Sequence, residues 1–162
     1  MSRDPETKAL VEALLGTWNG SGVGGYPTIE PFEYSETTVI EGRPDHPALH
    51  YQQRTWKLSE FGDVASHWET GLLRISSDGS VTFNNAQGGR SETMSGTWRV
   101  TDGGWTIDLA STGYAGDDRV MDSTRSLTVG KESLAYIHEM KTTATGEMSI
   151  HLKAELTRTA ID

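Results

Sequence analysis

The chain has no cysteine, few basic residues and no long apolar run. Its 162 residues include 14 lysines and arginines against 23 aspartates and glutamates, which gives a formal net charge of −9 at pH 7. A chain without cysteine has neither disulfides nor thiolate metal sites, and a negative field repels the phosphates of nucleic acid. No stretch is apolar enough for long enough to cross a bilayer, and residues 1–6 lack the apolar region of a signal peptide. We therefore expect a cytoplasmic protein with no nucleic-acid or membrane partner.

One short helix is expected near the start of the chain, over roughly residues 5–15. Asp4 precedes Pro5, as a capping residue precedes a proline at the first helical position. The apolar residues that follow recur at helical spacing: Leu10, Val11, Leu14 and Leu15. Gly16 then ends the helix. Such a helix either plugs one end of a barrel or rests on the surface of a sheet.

Beyond Gly16 the chain alternates strand patterns with turn residues and shows no second helix, linker or repeat. Strands are predicted around Trp18 and at residues 33–40, 49–58, 67–75, 81–83, 93–100, 105–111, 125–129, 133–142 and 148–158. Short strands joined by hairpin turns such as Asp78-Gly79 favour an up-and-down barrel over a sandwich. We predict one all-β domain over residues 1–162, an antiparallel barrel of about ten strands with one short N-terminal helix.

The first strand combines one large indole with several glycines. Gly16, Trp18, Gly20 and Gly22 lie two residues apart and so share one face of the strand. Glycines on that face predict that another backbone passes very close, as happens where a barrel closes. Residues 20–25 also match the pattern G-x-G-x-x-G, but no helix follows and the chain has no βαβ unit, so we exclude a dinucleotide site.

Residue spacing alone does not identify a catalytic site. Ser66 and His67 are neighbours on a strand and point to opposite faces, which is poor geometry for a serine–base pair. Glu69 shares the face of His67, and we interpret it as a partner on a wet strand face. The five histidines show no zinc-binding spacing.

Four motifs in this chain resemble the nitrobindin family. They are residues 15–22 (LGTWNGSG) with Tyr26-Pro27-Thr28-Ile29, residues 51–56 (YQQRTW), residues 67–74 (HWETGLLR) and residues 151–156 (HLKAEL). The family motif G-x-W-x-G-x-G is filled at every position. The resemblance covers roughly residues 10–158 in the family's order, with two departures. The chain has Ala65-Ser66-His67-Trp68-Glu69 where the family often has Pro-Met-His-Ser-Glu, and its segment from Met140 to His151 is about one residue longer than in the family.

The resemblance implies a barrel shaped like lipocalins and fatty-acid-binding proteins that holds haem b in a wide, solvent-accessible cleft. His151 matches the axial ligand of the haem iron, Thr28 matches a residue that lines the haem site, and His67 matches a histidine on the distal side. The family binds nitric oxide and is assigned the isomerisation of peroxynitrite to nitrate. His67 is thus the candidate catalytic residue, acting either by a hydrogen bond to the ligand or through packing alone.

The sequence is compatible with two other functions. The same barrel could carry a small hydrophobic ligand, with Trp18 closing its floor and Arg158 stacking on Trp18. It could also be a haem or nitric oxide sensor without isomerase activity, because the same ligation serves both.

The last strand contains a conflict between pattern and resemblance. Met148, Ile150, Leu152 and Ala154 form an apolar face, and strict alternation places His151 on the opposite face. An inward-facing His151 therefore requires either a bulge near this residue or a polar lining at the ligand end of the barrel.

Overall fold

The computed structural model describes residues 4–159, which form one helix followed by ten strands. The helix is α1 (Pro5–Leu14). The strands are β1 (Gly16–Tyr26), β2 (Ile29–Glu41), β3 (Ala48–Lys57), β4 (Val64–Ile75), β5 (Ser80–Gln87), β6 (Arg90–Thr101), β7 (Gly104–Ala115), β8 (Val120–Val129), β9 (Ser133–Thr142) and β10 (Ser149–Arg158). The candidate helix over 5–15 and all ten candidate strands are present.

Each strand pairs antiparallel with the next, and β1 also pairs with β10, so the sheet closes into a barrel. This confirms the predicted fold class. The main differences are at strand ends. For example, β8 begins at Val120 rather than at residue 125, because its first residues pair with β9 although they are mostly polar. None of the helical residues in the range 4–159 forms a segment long and apolar enough to span a bilayer.

Helix α1 closes one end of the barrel. The side chain of Asp4 caps it by accepting from the backbone N–H groups of Glu6 and Thr7, at 3.0 and 3.1 Å. Its apolar face, formed by Leu10, Val11 and Leu14, is fully buried in the same core cluster as Trp18. The interpretation of α1 as a helix that plugs one end of the barrel is therefore correct, and its interpretation as a helix resting on the surface of the sheet is wrong.

Trp18 seals this closed end. Its indole Nε1 donates to the carbonyl oxygen of Leu14 at 3.0 Å, and the guanidinium of Arg158 lies 4.3 Å from its ring centroid. The same guanidinium donates to the carbonyl oxygens of Ala13 and Leu15 at the end of α1. Arg158 thus joins the helix, the first strand and the last strand, and its predicted stacking on Trp18 is confirmed.

The close backbone approach predicted for the first strand occurs at Gly20. A Cβ built on Gly20 would overlap the carbonyl oxygen of Glu155 on β10 and would lie 2.9 Å from the Cα of Leu156. Only a residue without a side chain lets β10 pass here, and this contact is part of the seam where the barrel closes.

The interior changes character along the barrel axis. Next to α1 it is apolar, as at Ile40 and Leu134. Further along, a buried cluster of hydrogen-bonded side chains joins β2, β3 and β9. The Tyr136 hydroxyl donates to Glu36 at 2.6 Å, meets the Tyr34 hydroxyl at 2.8 Å and accepts from the side-chain amide of Gln53 at 2.8 Å. The end opposite α1 carries buried charged residues and histidines, which are described next.

Candidate functional site

The strands β1 and β10 separate at the end of the barrel opposite α1. Their pairing runs from Trp18–Arg158 to Gly24–Leu152 and stops there. On its other side β10 pairs with β9, and that register shifts between Ile150 and Leu152. His151 is the extra residue in this shift, so β10 carries a β-bulge at the candidate ligand.

The bulge explains how an alternating strand turns His151 inward. Ile150 before it is 54% exposed, whereas Leu152 after it is only 4% exposed. The half-buried His151 ring makes edge-on contacts with the rings of Tyr26 and His138, each with centroids 5.9 Å apart. His138 is fully buried inside the barrel. Of the two explanations that the sequence allowed, the bulge is therefore present, and the polar lining described below is present as well.

One hydrogen bond sets which nitrogen of His151 is free. Nδ1 lies 3.1 Å from the carbonyl oxygen of Gly25. A carbonyl only accepts, so Nδ1 carries the proton and Nε2 keeps its lone pair. Nε2 has no hydrogen-bond partner among residues 4–159 and is not among their fully buried polar atoms. This arrangement, with one ring nitrogen held by a carbonyl and the other bare, is typical of a histidine that binds metal.

Electrostatics keep the His151 imidazole neutral. Burial is the main cause that lowers its pKa from the ordinary value of 6.5, and the hydrogen bond to Gly25 opposes it. The positive charges of Arg90 and Lys57, and that of His67 when it is protonated, lower the pKa further. A neutral imidazole is the form that ligates iron.

A pocket of about 650 Å³ opens beside His151. It is lined by residues 23–31 of the β1–β2 hairpin and by Ile150 and His151 of β10. Thr28 lies in the turn of that hairpin, is exposed, and lines this pocket together with His151. The structure thus brings two of the three candidate site residues to one pocket, and a contact of Thr28 with a bound group stays a prediction.

His67 occupies a different part of the same end of the barrel. It lies on β4 and does not line the pocket beside His151, although it is close enough that its protonated form would lower the pKa of His151. Its side chain is 19% exposed, and Nε2 lies 2.9 Å from Oε2 of Glu69. Its catalytic role stays a prediction.

The interpretation of Glu69 as a residue on a wet strand face is wrong. Glu69 is 3% exposed and points into the barrel, where it forms a two-pronged ion pair with Arg125 of β8 at 2.8 and 3.1 Å. Burial alone would raise the pKa of Glu69, but the charge of Arg125 and the hydrogen bonds from His67 and Arg125 lower it well below its ordinary value. The two-residue alternation of a strand shows which residues share a face, but it does not show which face points into the barrel.

Two functional candidates, Arg125 and His138, were missed from the sequence. They lie opposite each other on β8 and β9 and both are buried. Burial and the charge of Arg125 hold the pKa of His138 well below its ordinary value. Their signal was weak, because His138 is one polar residue on the apolar face of β9, and Arg125 follows another polar residue, Ser123, on the inner face of β8. The detectable feature is that they fall on the apolar register of their strands.

The lining around these residues contains several buried polar atoms without a protein partner. Among residues 4–159 they include both ring nitrogens of His138, Nε of Arg125 and the side-chain amide of Asn85. Buried polar atoms are normally satisfied, so such a group marks a place where water or a ligand supplies the missing bonds. A prosthetic group at this end of the barrel fits these residues.

A metal ion at this site would need most of its ligands from an organic group. Within residues 4–159, no three side chains of the types histidine, aspartate, glutamate or cysteine are grouped to hold an ion. One neutral histidine beside a pocket suits a metal whose other ligands belong to a macrocycle. Fold and site together define a small-molecule-binding β-barrel with one candidate axial histidine.

The comparison with known proteins gives the family. The model of a family described as THAP4-like, heme-binding beta-barrel domain matches residues 9–158, and the chain belongs to this family. The nitrobindin resemblance of the four motifs is thereby confirmed. This family membership makes the chain a haem-binding barrel.

Relatives from several organisms carry one name. An Arabidopsis thaliana protein named peroxynitrite isomerase Rv2717c is 37% identical over 149 residues, which cover 91% of this chain and 86% of that protein. A Nocardia farcinica protein named peroxynitrite isomerase is 35% identical and covers 95% of this chain and 91% of its own length. The crystal structure of Rv2717c from M. tuberculosis superposes with a TM-score of 0.86 at 31% identity, covering 98% of this chain and 99% of that one.

Proposed function

We propose that this barrel binds haem b through Nε2 of His151 and isomerises peroxynitrite to nitrate, and that the same site binds nitric oxide. The observation that carries the proposal is the orientation of His151. A bulge turns it inward, and the Gly25 carbonyl holds its Nδ1–H, so that a neutral ring presents a bare nitrogen at the edge of an open pocket.

The relatives support the reaction class. Proteins that match more than nine tenths of the chain at 34–37% identity are named peroxynitrite isomerases. Isomerisation needs no second substrate and no stored redox equivalent, which agrees with a site of few catalytic side chains. When bound, the haem supplies an iron that acts as a Lewis acid toward the O–O bond of the substrate.

The protein's own contribution is to hold the haem, to orient it and to shield the site from bulk water. His151 fixes the metal at the gap between β1 and β10, and the hairpin that contains Thr28 forms one wall of the pocket. His67 is partly exposed on β4, and its Nδ1, which has no hydrogen-bond partner among residues 4–159, can form a hydrogen bond with a ligand. The barrel wall excludes bulk water from the buried residues behind the site.

Charge near the site is mixed. Lys57 and Arg90 are close enough to His151 to lower its pKa by their positive charge. The pocket beside His151 is lined by the carboxylate of Glu30 and, among residues 4–159, by no lysine or arginine, so local charge gives an anion no net attraction to this pocket. The formal net charge of −9 acts over a longer range and is screened by salt within roughly 8–10 Å.

The interior packing argues against a carrier of a hydrophobic ligand. Large buried side chains such as Tyr34, Phe83 and Tyr136 occupy the middle of the barrel, and Tyr136 is held there by hydrogen bonds to Glu36 and Gln53. An acyl chain along the barrel axis would have to displace this cluster. A small ligand at the open end requires no such displacement.

The test is a titration of the purified apo protein with hemin, followed in the visible spectrum. We expect a saturable one-to-one Soret band for the wild type and its loss for His151→Ala. His50→Ala is the matched control, because His50 is exposed on β3 and its ring contacts Thr70 on the outer face. A normal Soret band in His151→Ala would overturn the ligand assignment. Stopped-flow measurement of peroxynitrite decay and of nitrate yield by the haem-loaded protein then distinguishes an isomerase from a sensor.

A further inference from the structure

A buried ion pair spans the interior of the barrel behind His67. Glu69 on β4 and Arg125 on β8 are 56 residues apart in sequence, and β5, β6 and β7 lie between their strands. The side chain of Glu69 is fully buried and that of Arg125 is 5% exposed. The guanidinium also lies 5.3 Å from the ring centroid of Phe83 on β5, so the arginine reaches across the barrel.

Such a pair needs an explanation other than stability. Taking two charges out of water costs several kcal/mol per ion on the order-of-magnitude scale, and apolar replacements are often as stable. The pair has one further neighbour, because Oε2 of Glu69 also lies 2.9 Å from Nε2 of His67. The backbone N–H of His67 donates to the hydroxyl of Thr55 at 2.9 Å, which fixes the start of the side chain.

These contacts determine the protonation pattern of the His67 ring. Arg125 keeps the Glu69 carboxylate ionised, and an ionised carboxylate can only accept hydrogen bonds. The proton between the two residues therefore belongs to Nε2 of His67. Nδ1 has no hydrogen-bond partner among residues 4–159 and is not one of their buried polar atoms, so in the neutral ring it is a bare, solvent-reachable acceptor.

We propose that Glu69 and Arg125 are positioning residues that hold His67 as the Nε2–H tautomer, so that Nδ1 accepts a proton from an acidic ligand entering the site. This inference rests on the proposed function and names the form of substrate that the distal side handles. The ligand class is a weak acid that binds as its anion, with peroxynitrous acid as the case of interest.

The proton step balances without another reactant. The O–H bond of peroxynitrous acid breaks, the electron pair stays on oxygen, and an N–H bond forms at Nδ1. The products are peroxynitrite anion and an imidazolium whose charge Glu69 balances at 2.9 Å. After rearrangement to nitrate the imidazolium returns the proton to water, so that one acid molecule yields one nitrate and one proton.

The first part of the test uses the apo protein and needs no haem. Long-range ¹⁵N–¹H correlation spectra of the wild type at neutral pH report which ring nitrogen of His67 carries hydrogen, with His67→Gln used for assignment. We expect Nε2–H. A majority of Nδ1–H would overturn the proposal, whatever the haem experiments show.

The second part uses two probes of the haem-loaded protein, which differ in whether the ligand must lose a proton. Hydrogen cyanide binds ferric haem as the anion and must be deprotonated, whereas nitric oxide carries no proton. Since a positioned base contributes at least about tenfold to such a transfer, we expect Glu69→Gln and His67→Phe to slow cyanide association at least about tenfold and to leave nitric oxide association within about twofold. His50→Phe, with an exposed histidine on β3, is the control.

The possible outcomes are distinct. Equal slowing of both probes means a blocked or distorted site and overturns the acceptor role, as does no slowing of cyanide. If Glu69→Gln does not fold because Arg125 loses its partner, Glu69→Gln with Arg125→Met removes both charges, and His67→Phe leaves the pair intact. A wild type with no Soret band overturns the proposed function alone, while the tautomer in the apo protein still decides the inference.

Discussion

The Nδ1 atom of His151 and the carbonyl oxygen of Gly25 lie 3.1 Å apart, at the point where β10 and β1 stop pairing. A side-chain hydrogen bond thus replaces the next backbone pair of the barrel seam. One contact both ends the pairing of the two strands and fixes the tautomer of the candidate iron ligand. The same hydrogen bond therefore marks the opening of the barrel and leaves Nε2 of His151 free to bind a metal.

His138 behind this ligand should make stability depend on pH. Burial holds its pKa well below the ordinary value of 6.5, which it regains in the unfolded chain. Below pH 6.5 the unfolded state therefore takes up a proton that the folded state does not, and the free energy of unfolding falls by up to about 1.4 kcal/mol per pH unit for this one group. His138→Phe should remove that contribution.

The measurement is urea denaturation of both proteins between about pH 7.5 and pH 5.5, with the exposed His50→Phe as control. We expect the wild type and His50→Phe to lose more stability on acidification than His138→Phe. The difference between the wild-type and His138→Phe curves gives the contribution of His138. His151, whose pKa is also lowered, and Glu36, whose pKa burial raises, are present in both proteins and contribute to both curves. Parallel curves for all three proteins would contradict the prediction.

Gly20 should tolerate no side chain. Gly20→Ala places a Cβ against the Glu155 carbonyl oxygen at the barrel seam, so we expect a loss of about 1–3 kcal/mol or more in the free energy of unfolding. Gly103→Ala is the matched control, because a Cβ there meets no atom within 4 Å. Chemical denaturation compares the two. Equal stability of both variants would show that the seam adjusts without cost.

Arg158 should stabilise the closed end of the barrel. Arg158→Ala removes the contact with the Trp18 ring and the hydrogen bonds to the end of α1, and we expect a loss of about 1–3 kcal/mol. The variant Arg74→Ala, at an exposed position on β4, should change stability by less than about 0.5 kcal/mol. Thermal unfolding followed by near-ultraviolet circular dichroism, which reports on Trp18, checks both. A loss in Arg158→Ala no larger than in Arg74→Ala would contradict the role of the contact.

The fold was accessible from sequence because its signals are local. The capping Asp4, the helical spacing of Leu10 and Leu14, and the turn Asp78-Gly79 each act within a few residues, and the structure follows them. The glycines of β1 predicted a close backbone approach because the absence of a side chain is itself the signal. Closure of the barrel then followed from ten strands joined by short turns.

The site was only partly accessible because its decisive contacts are long-range. Glu69 was assigned to a wet face, since nothing near it in sequence shows that Arg125 reaches it across the barrel. His138 gave only a weak signal, because one buried polar residue does not disturb an alternating pattern. His151 was identified as the candidate ligand through the family motif, whereas the alternation of its own strand predicted a side chain that points outward.

The bulge at His151 yields the most direct test of how the site is built. In β10, Ile150 pairs with Glu139 and Leu152 pairs with His138, with His151 as the extra residue. Deleting Ile150 would let the histidine take the place opposite Glu139, where the present side chain is 54% exposed. The strand would regain strict alternation, and the histidine would face solvent.

We therefore expect the Ile150 deletion to fold as a barrel and to lose the Soret band in a hemin titration, as His151→Ala does. Deletion of the exposed Glu60, in the loop between β3 and β4, is the control for shortening the chain by one residue and should keep the band. Far-ultraviolet circular dichroism and a thermal melt establish that each deletion variant is folded. A folded Ile150 deletion that binds hemin as tightly as the wild type would show that the bulge does not orient the histidine. Loss of the band in that variant, with His151 still in the chain, would separate the orientation of the imidazole from its mere presence.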